Sequence, residues 1–386
     1  MSSELQVNTI TEATSGSGIT FAKDIIPATP LSHRNMVING DFRVNQEGNK
    51  LTKTGPEKRM AGDRWHINMS GFGTWSGGTE ADAPTGSGFR KSSYLNCTSA
   101  QASPGAAAYC VFGQRLEGQD LQLIRKGTSS AKPVTLSFWV KSPKTGTHIC
   151  ELYDGDNNRH CSQSYTIGTA NTWEYKSVTF PGDTTGAFDD DNALSLYVQW
   201  WLGAGSNYTT GTLQTTWGNT QANRVVGQVN VADAVHSSNN VFQLTGAQLE
   251  LGSVATPFEH RSFADELNRC QRYYEKSYNY ATLPGTASVY PGLSLSGGAA
   301  GNDTTQFISG DIRFKVRKRA TPTIVFFDYA GNINKGSTFT RGISGPNNDQ
   351  SVSTANIGET SVGYDRSSGT SNSNVAVHYT ADAEFA

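Results

Sequence analysis

Apolar and polar residues alternate along several stretches in the middle of this chain, and this period constrains its fold more than any other feature. In one stretch Leu136, Phe138 and Val140 occupy every second position, with Ser137 and Lys141 among the residues between and beside them. The same period recurs in residues 173–180, 194–201 and 242–251. A period of two predicts β-strands with one buried face, and the Gly, Asn and Asp residues between the stretches predict turns. We therefore predict an all-β fold in which residues 31–260 form an antiparallel β-sandwich.

The composition of the chain excludes several classes of protein. Its 386 residues include 41 glycines and 13 prolines, with only 17% charged residues, which excludes a coiled coil. An aromatic content of 10% is too high for a disordered chain. The net charge of −2 argues against nucleic acid as a partner, because phosphate binding needs a basic surface. We expect no membrane insertion and no signal peptide, because neither apolar pattern is visible.

The first 30 residues differ from the rest of the chain in carrying very few apolar side chains. Two short strand-like pieces flank a glycine turn, and their apolar residues are Leu5, Val7, Ile10, Ile19 and Phe21. So few apolar residues cannot form a core of their own. We therefore predict that residues 1–30 are an assembly segment that packs against a partner chain or another protein.

A single helix is predicted in residues 261–278, after the sandwich. Ser262 and Asp265 have the spacing of an N-terminal helix cap. An apolar stripe follows at helical spacing, at Phe263, Leu267, Cys270 and Tyr274. Beyond the helix, strand patterns return in residues 312–316, 324–327 and 375–379. We therefore predict that residues 279–386 form a small C-terminal β domain.

No motif in the sequence indicates catalysis or metal binding. The HExxH, GxSxG and phosphate-loop motifs are absent, and no two histidines stand two or four residues apart. We therefore expect no enzyme activity, no catalytic residue, no metal and no cofactor. A glycan-cleaving site would need two carboxylates across the scissile bond. The acidic candidates, which sequence spacing cannot place, are Glu151, Asp154, Glu174 and Asp189.

The five cysteines are odd in number and show no CxxC spacing. We interpret them as free, buried thiols of a protein made in the cytosol. Cys150 and Cys161 flank a predicted hairpin and could face each other, so a disulfide between these two is the alternative.

Sugar binding has the best support among the binding functions. Aromatic faces stack on the C–H faces of a pyranose while amides and carboxylates bind its hydroxyl groups. The candidate residues lie on the outward side of predicted strands or in loops, and are Trp75, Trp139, Tyr197, Gln199, Trp201, Tyr208 and Trp217. The alternative is that these aromatic residues fill the second face of the sandwich or a seam between protomers.

Several segments make the central region resemble the jelly-roll carbohydrate-binding modules of glycoside hydrolases and of phage tail and fibre proteins. They are residues 35–42, 135–141, 173–180 and 245–252. Further segments resemble phage virion proteins specifically, at 39–46, 61–65, 255–261, 265–274, 312–322 and 379–385. The opening segments 5–10 and 18–21 are similar to the N-termini of marine phage fibres.

This resemblance implies a homotrimeric fibre of a tailed-phage virion, made in the host cytoplasm, with the tail favoured over the capsid as its place. It implies an N-terminus that docks on other virion structural proteins and outer domains that contact host cell-surface glycan. The alternative is an architectural capsid fibre, collar or baseplate component without receptor contact. The sequence departs from the enzyme-associated modules at Arg43, where those modules often have a calcium-binding Glu, so a calcium site of that pattern is in doubt.

Overall fold

The structure is a computed structural model that describes residues 32–236, 241–295, 308–340, 346–366 and 373–385. It is built from β-strands with one α-helix in the described residues, so the predicted all-β fold class is confirmed. The predicted anchoring residues Leu5, Val7, Ile10, Ile19 and Phe21 lie outside the described residues. None of the helices in the described part of the chain is long and apolar enough to cross a membrane.

Eleven strands precede the helix in the described part of the chain. They are β1 (Lys50–Lys53), β2 (His66–Ser70), β3 (Thr74–Glu80), β4 (Ser92–Ser99), β5 (Tyr109–Glu117), β6 (Val134–Lys141), β7 (Gly146–Asp154), β8 (Arg159–Ile167), β9 (Glu174–Phe180), β10 (Leu194–Ala204) and β11 (Gln243–Leu251). The helix α1 (Phe263–Gln271) follows. The later strands are β12 (Tyr274–Lys276), β13 (Ser294–Leu295), β14 (Ile308–Arg313), β15 (Thr323–Phe327), β16 (Lys335–Thr340), β17 (Asn347–Ser351), β18 (Ser353–Ala355), β19 (Ser361–Arg366) and β20 (Ser373–Asp382).

The sandwich has a five-stranded sheet in the order β2-β5-β10-β7-β8 and two three-stranded sheets, β11-β6-β9 and β1-β3-β4. Neighbouring strands pair antiparallel, as the alternation predicts. Phe138 of β6 and Trp200 of β10 meet at a ring-centroid distance of 5.2 Å across the interior, so these two sheets face each other. The inward residues of the predicted alternation, Leu136, Phe138 and Val140, are fully buried in this core.

A glycine lets β11 bend where it pairs with β6. The register between the two strands shifts between Thr245 and Gln248, which marks a β-bulge. Gly246 in this bulge has a φ of +61°, a backbone conformation that favours glycine. A Cβ atom added there would lie 2.5 Å from the Phe89 ring, so the missing side chain also makes room for that residue.

The helix is shorter than the sequence predicts. It begins after Ser262, whose hydroxyl accepts the Asp265 backbone N–H at 3.1 Å, as the predicted cap requires. It ends at Gln271 rather than near residue 278, because Tyr274–Lys276 pair with the C-terminal strand β20. Of the predicted apolar stripe, Cys270 is fully buried whereas Phe263 is 40% exposed.

The later strands form a second apolar core. The six-stranded sheet is ordered β12-β20-β16-β17, with β13 and β15 also paired to β20, and β14-β19-β18 form another sheet. The core residues include Phe326, Tyr364 and Val377. The predicted strand at residues 312–316 ends at Arg313, because Lys315 and Lys318 turn toward the buried Glu275 carboxylate instead of continuing the sheet.

The C-terminal residues fasten this second core to the sandwich. Phe385 is buried beside Ile38, Val44 and Tyr273. Arg319 donates to the Ala383 carbonyl at 2.9 Å and to the Asn192 carbonyl of the sandwich at 2.8 Å. The contacts therefore join the end of the chain to both regions.

Candidate binding cleft on the five-stranded sheet

A cleft of about 190 Å³ lies on the outward face of the five-stranded sheet. Because side chains alternate along a strand, Tyr197, Gln199 and Trp201 of β10 point away from the core that contains Val198 and Trp200. The full lining consists of Asn68, Tyr109, Val111, Tyr153, Tyr197, Gln199, Trp201, Tyr208 and Arg224. Residues from four strands and one loop thus converge on a single concave surface.

Strand register places these side chains next to one another. Tyr197 of β10 pairs with Tyr153 of β7, and their ring centroids are 5.3 Å apart. Trp201 pairs with Val111 of β5, which in turn pairs with Asn68 of β2. Residues directly opposite on antiparallel strands lie on the same face, so the sheet itself fixes most of the cleft.

The loop after β10 supplies the remaining wall. The Tyr208 N–H donates to the Gly205 carbonyl at 3.1 Å, and the Val225 N–H donates to the Tyr208 carbonyl at 2.9 Å. Val225 is buried in a small outward apolar cluster that also contains Ile149 and Trp201. This packing holds the Tyr208 ring 5.4 Å from the Trp201 ring and brings Arg224 over the sheet.

A fully buried carboxylate, Glu151, lies beneath the cleft on β7. The Arg224 Nε and Nη2 donate to its two oxygens, both at 2.7 Å. The Gln199 amide donates to Oε2 at 2.5 Å and the Trp201 indole N–H donates to the same oxygen at 3.0 Å. Burial alone would raise the pKa of Glu151, but the Arg224 charge and these donors hold that pKa below its usual value. The carboxylate is therefore ionised.

The Arg224 guanidinium is also enclosed by aromatic rings. Its Cζ lies 4.9 Å from the Tyr153 ring centroid and 5.1 Å from that of Trp201. Its Nη1 donates to the Gln221 side chain at 2.9 Å. Such cation–π contacts and charge-assisted hydrogen bonds fix the orientation of the guanidinium. The pKa of Arg224 is raised by Glu151 despite burial, which by itself lowers it.

Four of the seven predicted sugar-binding residues come together in this cleft, but they do not have the same exposure. Tyr197 and Tyr208 are half-buried and present ring surface to solvent. Trp201 is only 2% exposed and Gln199 5%, so both form the floor and bind Glu151 rather than offering a stacking surface. Trp201 lies on the outward side of its strand, as predicted for a sugar-binding candidate, but Tyr208 and Arg224 cover its ring.

The other three predicted residues lie elsewhere. Trp75, predicted in a loop, is fully buried in β3 and its indole donates to the Phe72 carbonyl at 2.9 Å, so it packs in the core. Trp217 is half-buried against the sandwich core, and its indole donates to the Pro181 carbonyl at 2.7 Å. Trp139 lies on the outward face of the three-stranded sheet, on the other side of the sandwich from the cleft.

Trp139 borders a second, more open depression, the groove, of about 550 Å³. Its ring is 5.5 Å from that of Tyr175, which is 47% exposed, and Phe89 and Phe258 also line the groove. The groove has more apolar than polar lining, whereas the cleft combines rings with Asn68, Gln199 and Arg224.

Sequence reasoning missed Tyr109, Tyr153, Asn68 and Arg224. The alternation along β7 could have predicted Tyr153. It lies on the same side of the strand as Glu151, opposite the core residues Cys150 and Leu152. All five cysteines are free and buried, so Cys150 and Cys161 form no disulfide. Among the residues that the structure describes, no group of three or more His, Cys, Asp or Glu could hold a metal ion.

No protein-family model and no curated protein matches this chain. Among solved structures it is similar to the enzymatically active domain of tailspike protein 4 from bacteriophage CBA120, at 15% identity and a TM-score of 0.28. That match covers 56% of this chain and 21% of the tailspike, so the chain spans about a fifth of the tailspike's length.

Carbohydrate-binding modules are also similar to this chain. A CBM4 structure matches at 12% identity and a TM-score of 0.28, covering 55% of this chain and 98% of the module. A family 11 module of a Clostridium thermocellum cellulosomal cellulase matches at 13% identity and a TM-score of 0.26, covering 58% and 97%. Because these identities and TM-scores are low, no ligand or activity of these proteins carries over to this chain.

Proposed function

We propose that the cleft binds a cell-surface glycan and that the chain is a non-catalytic structural fibre of a tailed-phage virion. The observation that supports glycan binding is the set of half-exposed tyrosines, Tyr109, Tyr153, Tyr197 and Tyr208, around a rigid polar floor. Pyranose C–H faces stack on such rings, and amide groups such as that of Asn68 bind hydroxyl groups. The virion role rests on the resemblance of the sequence segments to phage fibres.

The carboxylates near the cleft favour binding over hydrolysis. Glycoside hydrolysis needs two carboxylates that reach the substrate. Glu151 is fully buried beneath Arg224. Asp154, at the end of the same strand, is also fully buried and pairs with Lys126 at 2.5 Å. Each negative charge is thus matched by a neighbouring cation and shielded from a ligand.

A pair of tyrosine variants tests glycan binding. Tyr197→Ala removes a half-exposed ring of the cleft, and Tyr175→Ala removes an exposed ring of the groove on the other side of the sandwich. We expect Tyr197→Ala to weaken binding to an array of cell-surface glycans at least about tenfold, roughly 1.4 kcal/mol. We expect Tyr175→Ala to bind as the wild type does.

Both variants are first checked for native unfolding temperature, so that lost binding is not lost folding. The reverse result, with binding lost only in Tyr175→Ala, would place the glycan in the groove. A folded wild type that binds no glycan would favour the architectural alternative. Light scattering tests the fibre: we expect three times the protomer mass of 41.5 kDa, and a monomer would argue against it.

A further inference from the structure

Only one charged side chain, Arg224, lines the cleft among the described residues. A lone arginine in a sugar-binding cleft would ordinarily recognise an acidic sugar, since a guanidinium binds carboxylates through two parallel hydrogen bonds. The state of Arg224 in the cleft therefore decides which class of glycan can bind.

The Nε–Nη2 edge of Arg224 is already occupied by the protein itself. Its Nε and Nη2 bind the two oxygens of Glu151, which is the bidentate geometry that a sugar carboxylate would need. Its Nη1 is directed at Gln221, and only 12% of its side chain is exposed. A ligand carboxylate that binds through this edge would have to displace Glu151, and at the remaining Nη1–Nη2 edge it would meet a guanidinium already paired with that carboxylate.

Displacing the Glu151 carboxylate from Arg224 is unfavourable, because Glu151 is held in place by burial and by other hydrogen bonds. Its side chain is fully buried and is held by Gln199 and Trp201 as well as by Arg224. Moving Arg224 toward a ligand would leave a buried carboxylate without its cation. It would also place a second negative charge close to Glu151, and like charges repel strongly away from water.

The surface that remains suits uncharged sugar units. The walls are tyrosine rings and the amide of Asn68. A further cation, Arg115, lies beside the Tyr197 ring, with its Cζ 5.7 Å from the ring centroid. Arg115 donates to the Phe385 carbonyl at 3.1 Å. Ring faces and amides contribute stacking and hydroxyl recognition without net charge.

We propose that Glu151 is a specificity-determining residue, which neutralises Arg224 and so makes the cleft select neutral over acidic glycans. This inference rests on the proposed function, because it concerns the same cleft. Glu151 acts through Arg224 and does not touch the ligand, so it is a positioning residue. Its loss should change which glycans bind rather than remove binding altogether.

The test begins with wild-type protein and two sets of probes. An array of neutral hexaoses of glucose, mannose and galactose is compared with hexamers of galacturonate, guluronate and sialic acid. The strongest neutral ligand is then titrated calorimetrically against its C6-oxidised, uronate counterpart. We expect the neutral member to bind at least about tenfold more tightly. Tyr197→Ala identifies binding that occurs in the cleft.

Two variants then assign the selectivity to Glu151. Glu151→Gln removes the charge and keeps the shape, so the freed Arg224 should raise the affinity for the uronate, relative to that for the neutral sugar, at least about tenfold. The double variant Glu151→Gln/Arg224→Gln removes both charges and should restore the preference for the neutral sugar. Circular dichroism and thermal unfolding check that each variant is folded.

The outcomes separate the two proposals. Equal or tighter Tyr197-dependent binding of the uronate by wild type overturns the neutral selectivity and leaves the glycan-binding function intact. A folded Glu151→Gln with unchanged selectivity overturns the assignment to Glu151. If wild type binds neither class in a Tyr197-dependent manner, the proposed function itself fails. The wild-type comparison decides the selectivity even if Glu151→Gln does not fold.

Discussion

Two carboxylates on opposite sides of the sandwich have the same kinds of partner and differ in burial. Beneath the cleft, Glu151 accepts hydrogen bonds from an arginine, a tryptophan indole and a glutamine amide. Beside the groove, Asp82 accepts hydrogen bonds from Lys141, from the Trp173 indole at 3.2 Å and from the Gln243 amide at 3.1 Å. The Glu151 side chain is fully buried, whereas that of Asp82 is 42% exposed.

The comparison shows that the same kinds of hydrogen-bond partner can contribute differently to stability, depending on burial. A buried ion pair cannot lose one partner without leaving an unsolvated charge, whereas water replaces the missing partner of an exposed pair. The cleft should therefore be a rigid, preorganised surface, because its polar groups are tied to a buried charge. Asp82 keeps its access to water, so the contacts around it should adjust more freely.

The largest effect is expected from Arg224→Met. This change leaves Glu151 buried without its cation, so burial would then raise the pKa of Glu151 instead of being outweighed. We expect the free energy of unfolding to fall by about 3–5 kcal/mol, measured by urea denaturation at pH 7. A loss below about 1 kcal/mol would show that the buried pair is no more important than the exposed one, and the comparison would fail.

An intermediate effect on the free energy of unfolding is expected when the pH is lowered. The pKa of Glu151 and that of Asp82 are both held below their usual values, although burial opposes this in each case. A carboxylate with a depressed pKa stabilises the fold above its unfolded pKa, and this stability is lost as the pH falls through the folded pKa. The relevant window therefore lies below about pH 4.5, the ordinary value for Glu.

Urea unfolding at pH 5 and pH 3 measures this dependence. We expect the wild type to lose stability between these values, Glu151→Gln to lose clearly less, and Asp82→Asn to follow the wild type closely. The reason is that Glu151 is wholly buried while water screens Asp82. Parallel curves for the wild type and Glu151→Gln would contradict the role assigned to the buried carboxylate.

The sequence could predict which residues of β10 face the cleft, but not the loop that completes its wall. The period of two placed Tyr197, Gln199 and Trp201 on the outward side of one strand, because alternation reports directly which side chains share a face. It could not place Arg224, which lies 73 residues from Glu151 and reaches it only through the path of a loop. It also could not show that the same loop covers Trp201.

Two sequence predictions were wrong: Trp75 does not lie in a loop, and the helix ends earlier than predicted. The Gly-rich stretch around Trp75 suggests a loop, yet it is the strand β3. A Cβ on Gly78 would lie 2.0 Å from the Asn49 side chain, so this glycine makes room for packing and does not mark a turn. The helix ends early because Tyr274 pairs with Asp382, and no local pattern reports a pairing over that distance.

The smallest effect is expected from Lys141→Met, the counterpart of Arg224→Met on the groove side. The methionine keeps most of the aliphatic stem, so the variant isolates the charge. The partner Asp82 is solvent-accessible and keeps the Trp173 and Gln243 hydrogen bonds. We expect the free energy of unfolding to fall by less than about 1 kcal/mol, and by still less at 1 M salt.

The same urea titration, run beside Arg224→Met, measures this difference. A loss for Lys141→Met as large as that for Arg224→Met would mean that the groove, too, is tied to a charge that water cannot replace. A negligible loss, with glycan binding unchanged, would leave burial of the carboxylate as the property that separates the two ion pairs. The rigidity of the cleft would then follow from Glu151, which has no access to solvent once Arg224 and Trp201 are in place.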